Sequence, residues 1–239
     1  MDLKESMLLG DQAAAHWYYR SKAAAVVRYL SDRKVNRILD VGAGSGFFTK
    51  HLLQRSRAAS GLCVDTGYAH DHDERCSGKP VAFRRSCDAV DADLVLLMDV
   101  LEHVEDDAGL LASYAAKVPA GAAFLITVPA FQWLWSGHDV FLEHKRRYDI
   151  GRLERAVKAA GLALERSSYY FGLVLPIAAA ARVGANLIRR RDLAPRSQLK
   201  KHGSLVNGVL AALCLAELPI VRFNRVGGLS VFALASKPS

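Results

Sequence analysis

Short apolar runs alternate with amphipathic segments along most of this 239-residue chain. The run NRILDVG, residues 36–42, is apolar and ends in Asp40 and Gly42, which is typical of a buried strand. Asp149 is a suitable N-cap for a helix that starts at 150, and Gly161 is a suitable stop. The same patterns predict further strands at 61–65, 80–84, 93–99, 121–129, 163–169 and 229–236, and helices at 12–30, 46–56, 103–117 and 150–160. Strands that alternate with helices predict an α/β fold with a mostly parallel sheet, which binds ligands at the carboxyl ends of its strands.

Two long apolar segments interrupt this alternation before the last strand. They cover residues 171–188 and 204–221, and the basic linker RRRDLAPRSQLKKHG separates them. A membrane-spanning helix needs about 20 predominantly apolar residues, whereas a proline and a charged residue break each segment, so neither is expected to span. The chain therefore divides into a helical segment at 1–35, a sheet core at 36–170, a basic apolar helical insertion at 171–226 and a closing strand at 227–239.

The net charge of +8 lies almost entirely in this insertion, since residues 171–225 hold nine Lys or Arg against Asp192 and Glu217. Apolar helices with basic residues are typical of elements that lie on an anionic membrane surface. A buried substrate lid and a homodimer contact stay open as alternatives. Nucleic-acid binding is not expected, because the segment is rich in aliphatic side chains and poor in aromatic ones. The basic residues that would meet lipid headgroups are Arg189, Arg190, Arg191, Lys200 and Lys201.

The cysteines and the N-terminal residues indicate the cellular compartment of the protein. No C-x-x-C pairing occurs among Cys63, Cys76, Cys87 and Cys214, which favours reduced thiols over a disulfide framework or a structural zinc site. The first residues, MDLKESMLLGDQ, lack the basic stretch and apolar core of a secretory leader. We therefore expect a cytoplasmic protein, with peripheral attachment to the inner membrane face left open.

The string ILDVGAGSGFFT, residues 38–49, carries the strongest chemical signal. Three glycines after a buried strand let the backbone turn sharply and approach a bulky ligand. Their spacing is G-x-G-x-G, whereas a dinucleotide site needs a glycine where this chain has Phe47. Asp40 would repel a pyrophosphate and suits a cationic or amine-bearing ligand, and Asp65 can accept hydrogen bonds from ribose hydroxyls. Phe47 and Asp40 argue against a nicotinamide-dependent oxidoreductase.

This string resembles the first motif of class I S-adenosylmethionine-dependent methyltransferases. DLVLLMDVLEHVEDD, residues 93–107, resembles their fourth-strand motif in its ubiquinone-biosynthesis form. The resemblance covers roughly residues 36–169 and the closing strand. It implies a Rossmann-like sheet of seven strands, mostly parallel with an antiparallel last strand and with helices on both faces. It also implies S-adenosyl-L-methionine as the cofactor.

The resemblance assigns the cofactor contacts. Asp40 and the glycine loop would surround the methionine part of the cofactor, Asp65 would hold the ribose, and Met98 and Asp99 would line the adenosine side. The usual acidic patch before the fourth strand is short here, so Asp88 is the first candidate for the adenine amino group, with Cys87 and Asp91 as alternatives. The full cofactor-binding set is Asp40, Gly42, Ala43, Gly44, Gly46, Asp65, Asp88, Met98 and Asp99.

The loop PAFQWLWSGHDVFLEHKRRYD, residues 129–149, follows the fifth strand. Its large aromatic side chains favour a substrate pocket. The pattern W-S-x-H-D…H-x-R-R-Y also resembles a bacterial methyltransferase subgroup associated with lipid and surface-polysaccharide pathways. A histidine near its ordinary pKa of about 6.5 is a suitable base for a hydroxyl acceptor. The catalytic candidates are His138, His144 and Asp139, and the substrate-binding candidates are Trp135, Arg146, Arg147 and Tyr148.

Simpler explanations exist for several of these residues. The two loop histidines would also form, with Asp139 and Arg147, a hydrogen-bonded clasp that holds the loop. The spacing H-D-x-x-x-x-H is not a familiar metal-ligand pattern, so no metal site is expected. His103 is expected to be a packed or capping residue, and HDHDERCSGK, residues 70–79, a solvated loop.

The resemblance and the loop together predict an O-methyltransferase that acts on a small or lipid-like acceptor. Its base would come from the loop after the fifth strand. N-methylation is the alternative within the family, and a non-catalytic cofactor-binding module is the alternative outside it.

Overall fold

The computed structural model describes residues 15–188 and 203–239. Its strands are β1 (Arg37–Val41), β2 (Ser60–Val64), β3 (His72–Cys76), β4 (Lys79–Arg84), β5 (Leu94–Met98), β6 (Ala123–Pro129), β7 (Ala163–Tyr170) and β8 (Ser230–Ser236). They form one sheet in the order β3-β4-β2-β1-β5-β6-β8-β7. The strands from β4 to β6 in this order run parallel, whereas β3 is antiparallel to β4, and β8 is antiparallel to β6 and β7.

Seven α-helices occur in the described residues, and all but the short helix at 137–141, inside the loop after β6, were predicted from the sequence. They are α1 (Trp17–Tyr29), α2 (Phe47–Arg55), α3 (Asp107–Lys117), α4 (Gly137–Phe141), α5 (Ile150–Ala159), α6 (Leu175–Ile188) and α7 (Ser204–Ala216). The predicted ends of α5 are confirmed: the Asp149 side chain accepts a hydrogen bond from the Arg152 N–H, and Gly161 has a φ of 75°.

Two apolar clusters lie on the two faces of the sheet. Successive residues of β5 alternate between them, so that Leu94 and Leu96 join one cluster while Val95 and Leu97 join the other. Residues of α1, α2 and α7 complete the first cluster, and residues of α3 and α5 complete the second. Because helices cover both faces, β5 is buried along its whole length, which explains its continuous apolar run.

The sheet has eight strands in the described residues, and the prediction of seven is wrong. The additional strand, β3, pairs with β4 as a hairpin, so the prediction of a solvated loop at 70–79 is also wrong. Ser77 and Gly78 form its two-residue turn, and both have positive φ (52° and 78°). Such turns match the twist of the flanking strands, which makes a hairpin favourable even for a polar sequence.

The predicted helix at 103–117 begins later than expected. Residues Leu101–His103 form a separate 3-10 turn, and α3 starts at Asp107. The Asp106 side chain caps α3 by accepting a hydrogen bond from the Gly109 N–H (2.8 Å). His103 therefore lies in the turn and does not open the helix.

The described part of the insertion packs on the core. Asn207 of α7 accepts a hydrogen bond from the Trp17 N–H (2.8 Å) and donates one to the Ala15 carbonyl (2.9 Å). The buried Glu217 accepts hydrogen bonds from the N–H groups of Gly172 (2.8 Å) and Leu173 (2.6 Å). No helix in the described ranges is both long and apolar enough to cross a membrane. The predicted headgroup-binding residues Arg189, Arg190, Arg191, Lys200 and Lys201 lie outside the described residues.

Candidate active site

The two sequence motifs meet at the carboxyl ends of β1 and β5. Gly42, Gly44 and Gly46 all have positive φ (63°, 53° and 68°), a conformation that costs other residues roughly 1–2 kcal/mol. A Cβ atom on Gly42 would lie 2.7 Å from Cγ2 of Val100, which follows β5. Both the backbone turn and the close approach of the second motif therefore require glycine at this position.

The two acids beside the glycine loop have different environments. Asp40 is buried and accepts a hydrogen bond from the Thr49 hydroxyl (2.8 Å). Burial raises the pKa of the Asp40 carboxyl to about 6. Asp65 is half-buried, and its carboxylate accepts hydrogen bonds from the N–H groups of Gly44 and Gly67, both at 2.9 Å. Asp40 thus braces the loop from inside the core, while Asp65 holds it and keeps contact with solvent.

Asp99 directly follows β5, has a φ of 59° and contacts the opening helix, α1. Its carboxylate pairs with the buried Lys22 ammonium and accepts a hydrogen bond from the Thr127 hydroxyl (3.1 Å). Lys22 also donates to the Tyr18 hydroxyl (3.1 Å). Met98 is buried in the core, so Asp99 is the residue of this predicted pair that reaches the surface. Sequence reasoning missed Lys22, because one lysine in an Ala-rich helix gives no signal.

Asp88 follows β4 and was the first candidate for the adenine contact. It lines a cavity of about 530 Å³ with Arg37, Ser60 and Pro80, which stand at the starts of β1, β2 and β4. None of the glycine-loop residues lines this cavity, whereas the alternatives Cys87 and Asp91 do. The adenine contact therefore stays a prediction for these three residues.

The segment after β6 forms a loop whose ends meet. The Phe131 N–H donates to the Tyr148 carbonyl (2.7 Å), and the Tyr148 N–H donates to the Pro129 carbonyl (2.9 Å). Pairing at both ends fixes the loop on the carboxyl edge of the sheet, next to the turn that follows β5. The peptide N–H of Lys145 strengthens this position by donating to the Glu102 carbonyl (2.6 Å).

Asp139 is the centre of the network inside this loop. It is fully buried, and its carboxylate accepts hydrogen bonds from Arg147 Nε (2.6 Å) and the Ser136 N–H (2.8 Å). His144 Nδ1 lies 3.0 Å from the same carboxylate. Burial alone would raise the pKa of the Asp139 carboxyl, but the hydrogen bond from His144 and the charge of Arg147 hold it well below its usual range. Asp139 therefore orients His144, and the same contacts form a clasp with Arg147.

The other predicted substrate contacts are largely occupied within the protein. The buried Arg147 also donates to the Ala130 carbonyl (3.0 Å). The Tyr148 hydroxyl is buried and lies within hydrogen-bond distance of two acceptors, the Leu101 carbonyl (3.1 Å) and the Asp107 carboxylate (2.8 Å). The structure therefore does not support substrate contact by Arg147 or Tyr148.

Three predicted residues of this loop keep partial exposure. Trp135 and His138 are half-buried. Arg146 donates to the Glu105 carbonyl (2.8 Å) and to its carboxylate (3.1 Å). Arg146 is thus tied to the segment before α3, while Trp135 and His138 remain accessible from the loop surface.

The 3-10 turn after β5 contributes two side chains beside this loop. Glu102 is fully buried, and neither carboxylate oxygen has a hydrogen-bond partner in the described part of the chain. Burial and the charge of Asp99 raise the pKa of Glu102 well above its usual range. The rings of His103 and His144 meet edge to face, with centroids 4.8 Å apart. Sequence reasoning missed Glu102; the acid–histidine pair in VLEHV was the available signal.

Comparisons with known proteins point to one family. The family model described as "Methyltransferase domain" matches residues 14–167, more than half of the chain. No curated protein is similar enough to match the chain.

Solved structures share the fold at low sequence identity. A chain from the complex of the Haloferax volcanii Trm112 methyltransferase activator with a methyltransferase has a TM-score of 0.59 at 15% identity, over 99% of this chain and 94% of that chain. Haemonchus contortus phosphoethanolamine N-methyltransferase 2, solved with S-adenosyl-L-methionine, has a TM-score of 0.57 at 14% identity, over 98% of this chain and 56% of that chain. An Archaeoglobus fulgidus SAM-dependent methyltransferase has a TM-score of 0.51 at 15% identity, over 91% of this chain and 94% of that chain.

Proposed function

The chain belongs to the methyltransferase domain family and is an S-adenosylmethionine-dependent methyltransferase, and on this premise we propose that it methylates an oxygen atom of a small or lipid-like acceptor. The observation that supports this proposal is the pair formed by the fully buried Asp139 and the half-buried His144. The pair lies on the loop after β6, beside the turn after β5 and at the same edge of the sheet as the glycine loop. A histidine held by a carboxylate is suited to take a hydroxyl proton.

The residues around the glycine loop fit the cofactor in their chemistry. An ionised carboxylate has about four lone-pair sites. Asp65 can therefore accept hydrogen bonds from ribose hydroxyls in addition to those it accepts from the N–H groups of Gly44 and Gly67. The Ser45 hydroxyl is buried with no partner among the residues described, and an orphaned polar group of this kind is expected where a polar ligand binds. We assign cofactor binding to Asp65 and to the loop from Gly42 to Gly46, with Asp40 bracing the loop through Thr49.

The bound cofactor supplies a methyl group whose bond to sulfur breaks as the bond to the acceptor oxygen forms, with the electron pair left on sulfur. The protein has to align the acceptor, which lowers the activation barrier by about 7–11 kcal/mol in favourable cases. It also has to remove the proton of the acceptor hydroxyl. Because the ionised Asp139 engages Nδ1 of His144, the lone pair of the neutral ring lies on Nε2. We therefore assign acceptor activation to His144 and its positioning to Asp139.

The insertion supports a lipid-like acceptor presented at a membrane surface. Large apolar side chains of α7 and of the segment after it are exposed, among them Leu205 (79%) and Phe223 (76%). Exposed apolar helices beside a basic linker suit the interface of an anionic membrane. The same insertion reaches the loop after β6, since Arg182 of α6 donates to the Leu134 carbonyl (2.9 Å). A homodimer contact over the apolar side chains is the alternative.

Incubation with methyl-labelled S-adenosylmethionine and fractionated cell extract tests the acceptor class. We expect the label in an organic-soluble or small-molecule product with the native chain and a much slower appearance of it with His144→Gln. Label found on protein or nucleic acid would refute the proposed acceptor class. Tight cofactor binding without label in any fraction would favour the non-catalytic module.

A further inference from the structure

Glu102, His103 and His144 form a cluster between the turn after β5 and the loop after β6. One ligand-type atom from each side chain lies within 4.8 Å of the other two. Glu102 is fully buried, with both carboxylate oxygens unpartnered in the described residues. We infer that these three side chains bind one divalent transition-metal ion, which in turn holds the acceptor oxygen.

The donor set favours a metal of this class. Two imidazoles and one carboxylate with further positions open are the ligands of catalytic zinc and of non-haem iron sites. Metal–ligand bonds of about 2.0–2.2 Å place the ligand atoms of a tetrahedral site roughly 3.3–3.6 Å apart. The observed limit of 4.8 Å therefore requires a closure of about 1.2–1.5 Å, by rotation of the side chains as the ion binds.

The surroundings of the cluster also match a metal site. A metal-bound histidine usually donates its second ring nitrogen to a carboxylate, which fixes the ring and makes it a better ligand. Asp139 engages Nδ1 of His144 in this way (3.0 Å), so that Nε2 is left for the ion. The Lys145 N–H joins the two segments by donating to the Glu102 carbonyl (2.6 Å), which keeps His144 beside Glu102.

A buried carboxylate without a hydrogen bond is costly unless something else binds it. The neighbouring charges of Lys22 and Arg147 are already paired with Asp99 and Asp139. Neither Glu102 oxygen has a hydrogen-bond partner among the described residues. A bound metal ion accounts for this arrangement, which differs from the sequence-based expectation that the chain has no metal site.

This inference rests on the proposed function in one respect, the identity of the metal-bound group as the acceptor hydroxyl. A metal ion held by Glu102, His103 and His144 would lower the pKa of a bound acceptor hydroxyl, and the acceptor proton would then pass to solvent. His144 would then act as a ligand and would not itself take the proton. Asp139 would remain a positioning residue.

Equilibrium dialysis of the full chain, stripped of metal by a chelator, tests the site without any acceptor. Zn²⁺, Mn²⁺ and Mg²⁺ are offered separately, and bound metal is measured by elemental mass spectrometry. We expect one ion per chain, with Zn²⁺ bound most tightly and Mg²⁺ least tightly. Glu102→Gln, His103→Gln and His144→Gln should each weaken binding at least about 10-fold, as changes around metal ligands do.

The matched control is His72→Gln, which removes an exposed histidine 3.6 Å from Glu74 and should leave binding unchanged. Glu102→Gln keeps the shape of the side chain and removes a buried acid. The midpoint temperature of thermal unfolding of this variant without metal should therefore equal or exceed that of the native chain without metal. Co²⁺ offered to the native chain should give visible bands that change in His103→Gln, a signature that a purely structural histidine would not affect.

The possible results separate the two claims. Binding that is equally strong in Glu102→Gln and His103→Gln, or that is lost in His72→Gln, would overturn the metal site. If no metal binds while oxygen methylation still needs His144, the metal inference fails and the proposed function stands with His144 as the base. If metal binds at the three residues and no oxygen is methylated, the site stands and the proposed function fails.

Discussion

Replacing Gly42 by alanine measures how closely the two motif segments approach each other. The new Cβ would lie 2.7 Å from Cγ2 of Val100, and the φ of 63° would add backbone strain. The strain costs roughly 1–2 kcal/mol, and overpacking a tight contact costs about 1–3 kcal/mol. We therefore expect Gly42→Ala to lower the free energy of unfolding by about 2–5 kcal/mol, measured by urea denaturation.

Gly121→Ala is the matched control for the strain alone. Gly121 has a φ of 81°, and no atom lies within 4 Å of the Cβ position, so this variant should lose only about 1–2 kcal/mol. Adding Val100→Ala to Gly42→Ala removes the contacting methyl group, and the two losses should fall short of additivity by about 1–3 kcal/mol. If Gly42→Ala costs no more than Gly121→Ala, or if the two losses simply add, the close approach is refuted.

Three further predictions concern binding and turnover. Asp65→Ala should weaken S-adenosylhomocysteine binding, because each charge-assisted hydrogen bond lost costs about 1.5–3 kcal/mol. Calorimetry that shows tight NAD binding, or an unchanged affinity of the variant, would contradict the assignment of Asp65 to cofactor binding. His144→Gln should lower turnover by about 100- to 10,000-fold with cofactor affinity intact, whereas a mere clasp would lose thermal stability and keep its turnover per folded molecule. In vesicle flotation, the chain should float with anionic vesicles and not with neutral ones. The association should weaken when Gln replaces Arg189, Arg190 and Arg191. Salt should also weaken it, since the Debye length falls from about 10 Å at 0.1 M to about 3 Å at 1 M; a protein that stays at the bottom of the gradient at low salt would favour the lid or dimer.

Apolar periodicity predicts seven of the eight strands to within two residues, because buried strands give continuous apolar runs. β3 could not be found in this way. It is an edge strand of five residues, His72–Cys76, and all but Cys76 are partly or fully exposed. Its polar sequence therefore has the composition of a loop. The Ser77-Gly78 dipeptide was the local signal, since both positions adopt the positive φ that two-residue hairpin turns need.

The site was predictable where local backbone chemistry determines it. The glycine loop and Asp65 follow from strand ends and glycine spacing, and the contact between Asp139 and His144 spans only five positions. The Lys22–Asp99 pair joins residues 77 positions apart, so no local pattern indicates it. For Glu102 the acid–histidine pair in VLEHV was a local signal, but its burial without a hydrogen-bond partner is visible only in the tertiary structure.

The carbon NMR spectrum of a product made from ¹³C-methyl-labelled S-adenosylmethionine tests the central claim most directly. The resonance of a methoxy carbon is distinct from that of an N-methyl carbon, so the spectrum identifies the methylated atom even when the acceptor molecule itself has not been identified. We predict a methoxy resonance in the product of the native chain and its near absence in an equal amount of folded His144→Gln. An N-methyl resonance, or a methoxy resonance of equal strength in the variant, would contradict the proposed reaction at this site.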